Sequence, residues 1–196
     1  MKRLFDIFAS ACGLIVLSPL FIILAIWIKL DSKGPVFYKQ VRVGRHNKDF
    51  KLFKFRSMRV GADKAGLITV GGRDPRVTPS GYYIRKYKLD EFPQLINVFK
   101  GDMSLVGPRP EVRKYVDMYT PEQLHVLDVR PGITDLASIR YRNENELLEK
   151  AEDPDKYYIE VIMPDKLKIN LEYVANHSFW YDIKLIFRTF AAIVNG

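Results

Sequence analysis

Residues 7–28 read IFASACGLIVLSPLFIILAIWI, and the fold turns on whether this run is a cleaved leader, a membrane span or a re-entrant element. It holds 22 residues without a charge. As a helix rising about 1.5 Å per residue it extends about 33 Å, close to a bilayer's hydrocarbon thickness. A cleaved leader does not suit it. The run is long, no small-residue cleavage site follows, and Lys29 leads straight into structured-looking sequence. Two features bear on the other readings. Ser18-Pro19 sits near the middle, where proline removes a backbone donor and kinks the helix. Positive charge also lies at both ends, Lys2 and Arg3 before the run and Lys29, Lys33, Lys39 and Arg42 after it, whereas a spanning helix shows a one-sided bias. From the residues alone, spanning and re-entrant readings both stand. A break at Ser18-Pro19 needs a partner for its freed backbone groups, and the Ser18 hydroxyl is in place to serve. Asp6 is expected to pair with Lys2 or Arg3, or to lie at the surface.

Outside this run the chain is basic. Its 31 Lys+Arg exceed 23 Asp+Glu, for a formal charge of +8 over 196 residues. Such an excess suits an anionic partner: nucleic acid, an anionic membrane surface or phosphorylated substrates. A 47% apolar content excludes a disordered tail. Cys12 is the only cysteine, which excludes a disulfide framework and a thiolate metal site and fits a reducing, cytosol-facing location. No internal repeat and no Walker A pattern occur. The length suits one domain plus an appended element, here residues 1–33 followed by a body over 34–196.

Within the body, residues 36–56 predict a β-hairpin. Phe37, Val41 and Val43 share one face, and a return arm interleaves Lys51, Lys54 and Arg56 with Phe50, Leu52, Phe53 and Phe55. The arm is expected to pack one face and present a row of cations on the other. Residues 61–81 are rich in Gly and Pro and read as a long loop. A helix is expected from about Gly81 through Tyr87. Next comes LDEFPQLINVFKGDMS, with Asp90 as an N-cap, Pro93 in the first turn, an apolar stripe of Leu95, Ile96, Val98 and Phe99, and Gly101 as the C-cap. A short strand leads into Pro108-Arg109-Pro110, where two prolines hold one arginine, and Arg130-Pro131-Gly132 repeats the device. Residues 167–195 read as helical, with Trp180 and Tyr181 suited either to a membrane interface or to the core. The three histidines show no metal spacing.

Asp90 and Glu91 are adjacent, so on a helix they point about 100° apart and do not face each other as a glycosidase pair does. They can divide the work, one oxygen as nucleophile and the other as ligand to a hard cation. Mg²⁺ takes one or two carboxylates plus water and phosphate oxygens. Carboxylate attack on phosphorus is established covalent chemistry. Lys54, Arg85, Lys88 and Arg109 would stabilise a departing diphosphate. The bland alternative is a capping and dipole-matching pair.

The motifs SP, FKLFKFRSM, RKYKLDEFPQLINVFKGDMSLVGPRP and DVRPGIT, in this order, resemble the bacterial sugar transferase family, the monotopic polyprenol-phosphate phosphoglycosyl transferases, over nearly the whole chain. The resemblance implies an α+β, mostly helical fold. Its parts are an N-terminal re-entrant membrane helix broken at Ser18-Pro19, a small hairpin and interfacial amphipathic helices. It implies transfer of a phosphosugar from a UDP-sugar to undecaprenyl phosphate, beginning glycoconjugate assembly at the cytoplasmic face of a bacterial inner membrane. Asp90 then forms a covalent phosphosugar intermediate as UMP departs. Glu91, with Asp90, holds Mg²⁺, and Arg85 holds the polyprenol phosphate. Lys54 and Arg109 match basic positions near the phosphates, and Arg130 is counted with them as substrate-binding. The implied partners are donor, acceptor and lipid bilayer, with no nucleic acid and with homodimer formation left open. After PGIT this chain reads DLASIRYRNENE where many relatives read GLAQV-GR, so the residues do not name the sugar. The competing reading is a non-catalytic, membrane-tethered basic module that binds anionic lipid or nucleic acid.

Overall fold

The structure is a computed structural model that describes residues 1–62 and 74–194. Two N-terminal helices, α1 (Lys2–Val16) and α2 (Ser18–Asp31), meet at Leu17 with a bend of 59°. The cause is local. Pro19 has no N–H for the Ile15 carbonyl, and the Ser18 hydroxyl donates to that oxygen at 2.7 Å, as the sequence suggests. Among the described residues no single helix is long and apolar enough to cross a membrane; α1 and α2 together meet that length and composition.

Among the described residues the body is mostly helical with two small sheets. Strands β1 (Phe37–Val43) and β2 (Asp49–Phe55) form the expected antiparallel hairpin, Phe37 opposite Phe55. Helix α3 (Pro79–Lys86) starts at Thr78, whose side chain accepts the Gly81 N–H. A 3₁₀ turn (Leu89–Glu91) precedes α4 (Gln94–Lys100), which ends at Gly101 in the left-handed region, φ 98°. Strand β3 (Ser104–Val106) pairs in parallel with β4 (Gly132–Thr134). The short helices α5 (Arg113–Val116), α6 (Leu136–Arg140), α7 (Glu144–Glu149) and α8 (Pro154–Tyr157) lead through a π-helical turn into α9 (Met163–Asn176). Helix α10 (Phe179–Val194) closes the described chain. Parallel pairing of strands this short demands close backbones. A Cβ on Gly132 would lie 2.1 Å from the Gly107 nitrogen, so glycine is required there.

Among the described residues four apolar clusters make the core. Leu24 and Ile28 of α2 pack on Phe55 and Ile84, so the N-terminal element is seated on hairpin and α3 alike. Leu52, Val98 and Met103 join the hairpin to α4. Val106, Tyr173 and Leu185 join β3 to α9 and α10, and a larger group around Tyr158 and Ile162 fills the far end. Polar side chains of α1 complete the seating. Arg3 donates to the Val98 and Phe99 carbonyls at the C-terminus of α4, and Asp6 accepts the Leu105 N–H at 3.0 Å.

Several expectations change here. Asp6 is buried and serves a strand backbone rather than Lys2 or Arg3; Lys2 pairs instead with Asp182 of α10. Arg56 leaves the expected cationic row. Its guanidinium is buried and donates to the carbonyls of Ser32 and Lys33, just past the end of α2, and to the Ile28 carbonyl, which also accepts the Ser32 N–H. Val41 is half exposed, since Phe37 and Val43 at the ends of β1 are covered but the middle is not. The helical stretch expected over 167–195 is divided between α9 and α10, parted at His177-Ser178. Trp180 points outward while Tyr181 stacks on Tyr173. Of the loop expected over 61–81, residues 63–73 lie outside the described residues and Pro79–Gly81 belong to α3.

Candidate active site

Asp90 does not cap α4. It lies inside the 3₁₀ turn, and α4 begins at Gln94 with no side-chain cap. Lys88, in the left-handed region at φ 56°, turns the chain between α3 and the 3₁₀ turn, and Asp90 is left only 7% exposed. The neighbouring Glu91 faces two cations brought from distant parts of the chain. Lys54 of β2 donates to Oε1 at 3.2 Å. Arg109, in the loop after β3, donates from Nη1 to Oε2 at 3.1 Å and from Nη2 to Oε1. The arrangement is a two-point fork plus a point charge on one carboxylate.

These contacts separate the two acids chemically. Burial pushes Asp90 above the usual aspartate range, with Lys54 acting against it. Among the described residues nothing donates a hydrogen bond to its carboxylate. Burial works upward on Glu91 too, but Arg109 and Lys54 outweigh it and hold its carboxyl well below the usual range. Desolvation lowers the Lys54 ammonium while Glu91 supports it; Arg109 is raised by Glu91. Nucleophilic strength of a carboxylate follows its basicity and its free lone pairs. Asp90 has both, whereas Glu91 is the weaker base and has three donors on its two oxygens.

Arg85 of α3 acts on Asp90 electrostatically, so Lys54, Arg85 and Arg109 surround two carboxylates with an excess of one positive charge. Side-chain exposures of 17% for Lys54, 21% for Glu91 and 28% for Arg109 leave the group reachable by a ligand. Arg130 is not among these groups. Its Nε donates to the Gly101 carbonyl at 2.9 Å, beyond the opposite end of α4. Among the described residues no group of three or more His, Cys, Asp or Glu is arranged to hold a metal ion. A pair of carboxylates with phosphate oxygens is a different donor set and suits Mg²⁺.

The supports of the site escaped the sequence reading. Asn97 is fully buried and acts as a surrogate strand. Its Oδ1 accepts the Phe53 N–H at 2.9 Å and its Nδ2 donates to the Lys51 carbonyl at 2.8 Å and to Asp102 at 3.2 Å. This fastens β2, with Lys54, to α4, which follows Glu91. One signal was visible: an amide inside the apolar stripe LINVF. Arg42 does similar work for Arg109, donating to the Pro110 carbonyl at 3.0 Å and to Glu111 at 3.4 Å.

A model of the family described as bacterial sugar transferase matches residues 1–196. The chain is 39% identical to UDP-N-acetylgalactosamine-undecaprenyl-phosphate N-acetylgalactosaminephosphotransferase of Aeromonas hydrophila, over 100% of this chain and 44% of that protein. It is also 39% identical to UDP-glucose:undecaprenyl-phosphate glucose-1-phosphate transferase of Escherichia coli (strain K12), over 100% of this chain and 40% of that one. A third relative, the exopolysaccharide production protein PSS of Rhizobium leguminosarum bv. phaseoli, is 39% identical over 96% of this chain and 92% of its own length. The chain thus spans about two fifths of the first two relatives and nearly all of the third.

Proposed function

We propose that this chain, which belongs to the bacterial sugar transferase family, moves a sugar phosphate from a UDP-sugar to a polyprenol phosphate such as undecaprenyl phosphate. The observation that carries this reading is the contrast inside the acidic pair. Asp90 is buried and unbonded, beside a Glu91 whose two oxygens are held by Lys54 and Arg109. In the first step an Asp90 oxygen attacks the sugar-bearing phosphorus of the donor. The new Oδ–P bond forms as the bond to the bridging oxygen breaks, and UMP leaves with that electron pair. In the second step a phosphate oxygen of the acceptor attacks the same phosphorus, the Oδ–P bond breaks, and Asp90 is restored as a carboxylate. Lys54, Arg85 and Arg109 stand where charge develops on the transferring and departing oxygens.

The residues fit a Mg²⁺ ion: Asp90 is uncommitted, and Glu91 Oε2 accepts one bond and keeps a lone pair. These two would hold it, and when bound it would supply neutralising charge to the phosphates. The placement we infer is monotopic, at the cytoplasmic face of the cell membrane. Residues 1–33 would dip into the bilayer and residues 34–196 would carry the chemistry. The 59° bend, the Ser18–Ile15 bond and the cationic flanks support it.

The deciding experiment incubates purified protein with UDP-sugars and no acceptor. One equivalent of UMP is expected, with a phosphosugar adduct on Asp90 by mass spectrometry, and neither in Asp90→Asn. A basic module without catalysis would bind anionic vesicles and be indifferent to that change. Near wild-type transfer by Asp90→Asn would sink the assignment.

A further inference from the structure

Past the C-terminal end of α4, away from the acidic pair, a second cationic recess opens. It is a cavity of about 300 Å³ walled by Lys2, Arg3, Arg45, Arg130 and His177 among others. Neither carboxylate of the active site lines it, nor do Lys54 or Arg109. Its four cations are of two kinds. Lys2 is spent on Asp182, the Val106 carbonyl and the Tyr173 hydroxyl, and Arg3 is spent on the end of α4. Arg45 and Arg130 are tethered by Nε alone, to the carbonyls of Asp128 and Gly101, each at 2.9 Å. Among the described residues their Nη groups make no hydrogen bond or ion pair. A guanidinium fixed at Nε with its fork open is already aimed, and two lining one cavity suit a tetrahedral oxyanion. The acids of the recess are engaged. Asp6 holds the Leu105 N–H and Asp128 meets His125 at 2.9 Å.

The recess also lies where two apolar helix faces begin. Helix α1 exposes Leu4 and Phe8, at 74% and 70%, and α10 exposes Trp180 and Phe187, at 78% and 70%. The two helices touch edge to face through Phe5 and Phe179, centroids 5.6 Å apart. Exposed Lys184 and Arg188 share the outer face of α10. Apolar side chains interleaved with cations at one wall belong at a headgroup layer.

We propose that Arg45 and Arg130 form a phosphate-group site separate from the active site, filled at a bilayer surface by the phosphodiester of an anionic phospholipid. The site goes beyond the transfer reaction and does not depend on Asp90.

The test uses the full chain in detergent micelles and native mass spectrometry. The probes are short-chain phosphatidylglycerol, inorganic phosphate and a short-chain diacylglycerol without phosphate. Wild type is expected to retain one phosphatidylglycerol and no diacylglycerol. Arg45→Gln with Arg130→Gln should weaken retention at least tenfold. Arg45→Gln alone, at an exposed position, should weaken it several-fold with an unchanged unfolding midpoint, which separates lost binding from lost folding. Phosphatidylglycerol displaced by millimolar phosphate supports the site with a lipid source, and phosphate retained while the lipid is ignored supports it with a soluble source. Retention unchanged in both variants, or neither probe retained by wild type, overturns the proposal.

Discussion

Arg109 grips both carboxylate oxygens of Glu91, while Asp90, one residue earlier, receives no hydrogen bond among the described residues. Neighbouring acids of similar intrinsic strength are thereby pushed apart in basicity, one suppressed by a fork of charge and the other raised by burial. Arg109 is aimed by its flanking prolines and by Arg42, which holds the Pro110 carbonyl.

Replacing Arg109 by lysine keeps the charge and removes the fork. We expect UMP release to slow by about 100-fold or more, the scale seen when a preorganised donor at a reacting centre is lost. Circular dichroism should be unchanged. A rate within threefold of wild type would show that charge alone suffices and the fork is dispensable.

Asn97→Leu deletes three hydrogen bonds and takes their side-chain partner from the half-buried Phe53 N–H and Lys51 carbonyl. The expected cost is about 2–4 kcal/mol, read as a lower urea midpoint. Because β2 carries Lys54, activity should fall further than the folded fraction does. Asn97→Asp retains the acceptor for Phe53 and should recover part of both losses. If Asn97→Leu unfolds at the wild-type midpoint, the surrogate-strand account fails.

The bend at Leu17 has a topological consequence. With Cys12 replaced by serine, single cysteines at Lys2 and Lys33 should both react with an impermeant maleimide from the same side of sealed vesicles. In Pro19→Ala the Ile15 carbonyl regains a backbone donor, and the pair should straighten toward a span. Labelling of the two wild-type positions from opposite sides would remove the re-entrant reading.

Alkaline stability should bend near pH 10. Burial, and then a hydrogen bond to Asp165, push the Tyr141 hydroxyl up to about 12, while Tyr158 and Tyr173 are driven higher by burial together with Glu111 and Asp182. A raised folded value means the native state holds its proton more tightly than the unfolded chain does. The contribution is therefore complete below about pH 10, the usual tyrosine value, and is lost as pH climbs through 12. Urea midpoints from pH 8 to 12 should stay level and then decline, with a shallower decline in Tyr141→Phe. Parallel declines in the two proteins would count against this origin.

Much of the site was legible from local pattern. The SP break, the hairpin arms, the glycine ending α4 and the proline-flanked arginine all depend on neighbours within a few residues, which a linear reading can see. The errors share one cause. Asp90 looked like a cap, Arg56 like a solvated cation and Asp6 like an interfacial acid. In each case the true surroundings come from elements tens of residues away. Arg56 answers carbonyls just past the end of α2, and Asp6 answers a strand 99 positions later.

The order of residues alone determined that this chain would hold a broken apolar helix, a basic body and an acidic pair suited to phosphoryl chemistry, because charge, hydropathy and proline act where they stand. Only the tertiary structure decided which acid is held by cations and which is left without a hydrogen bond among the described residues, since that depends on Lys54 and Arg109 converging on Glu91 from 37 and 18 positions away. Coulomb attraction and desolvation act through space, and sequence distance has no bearing on them.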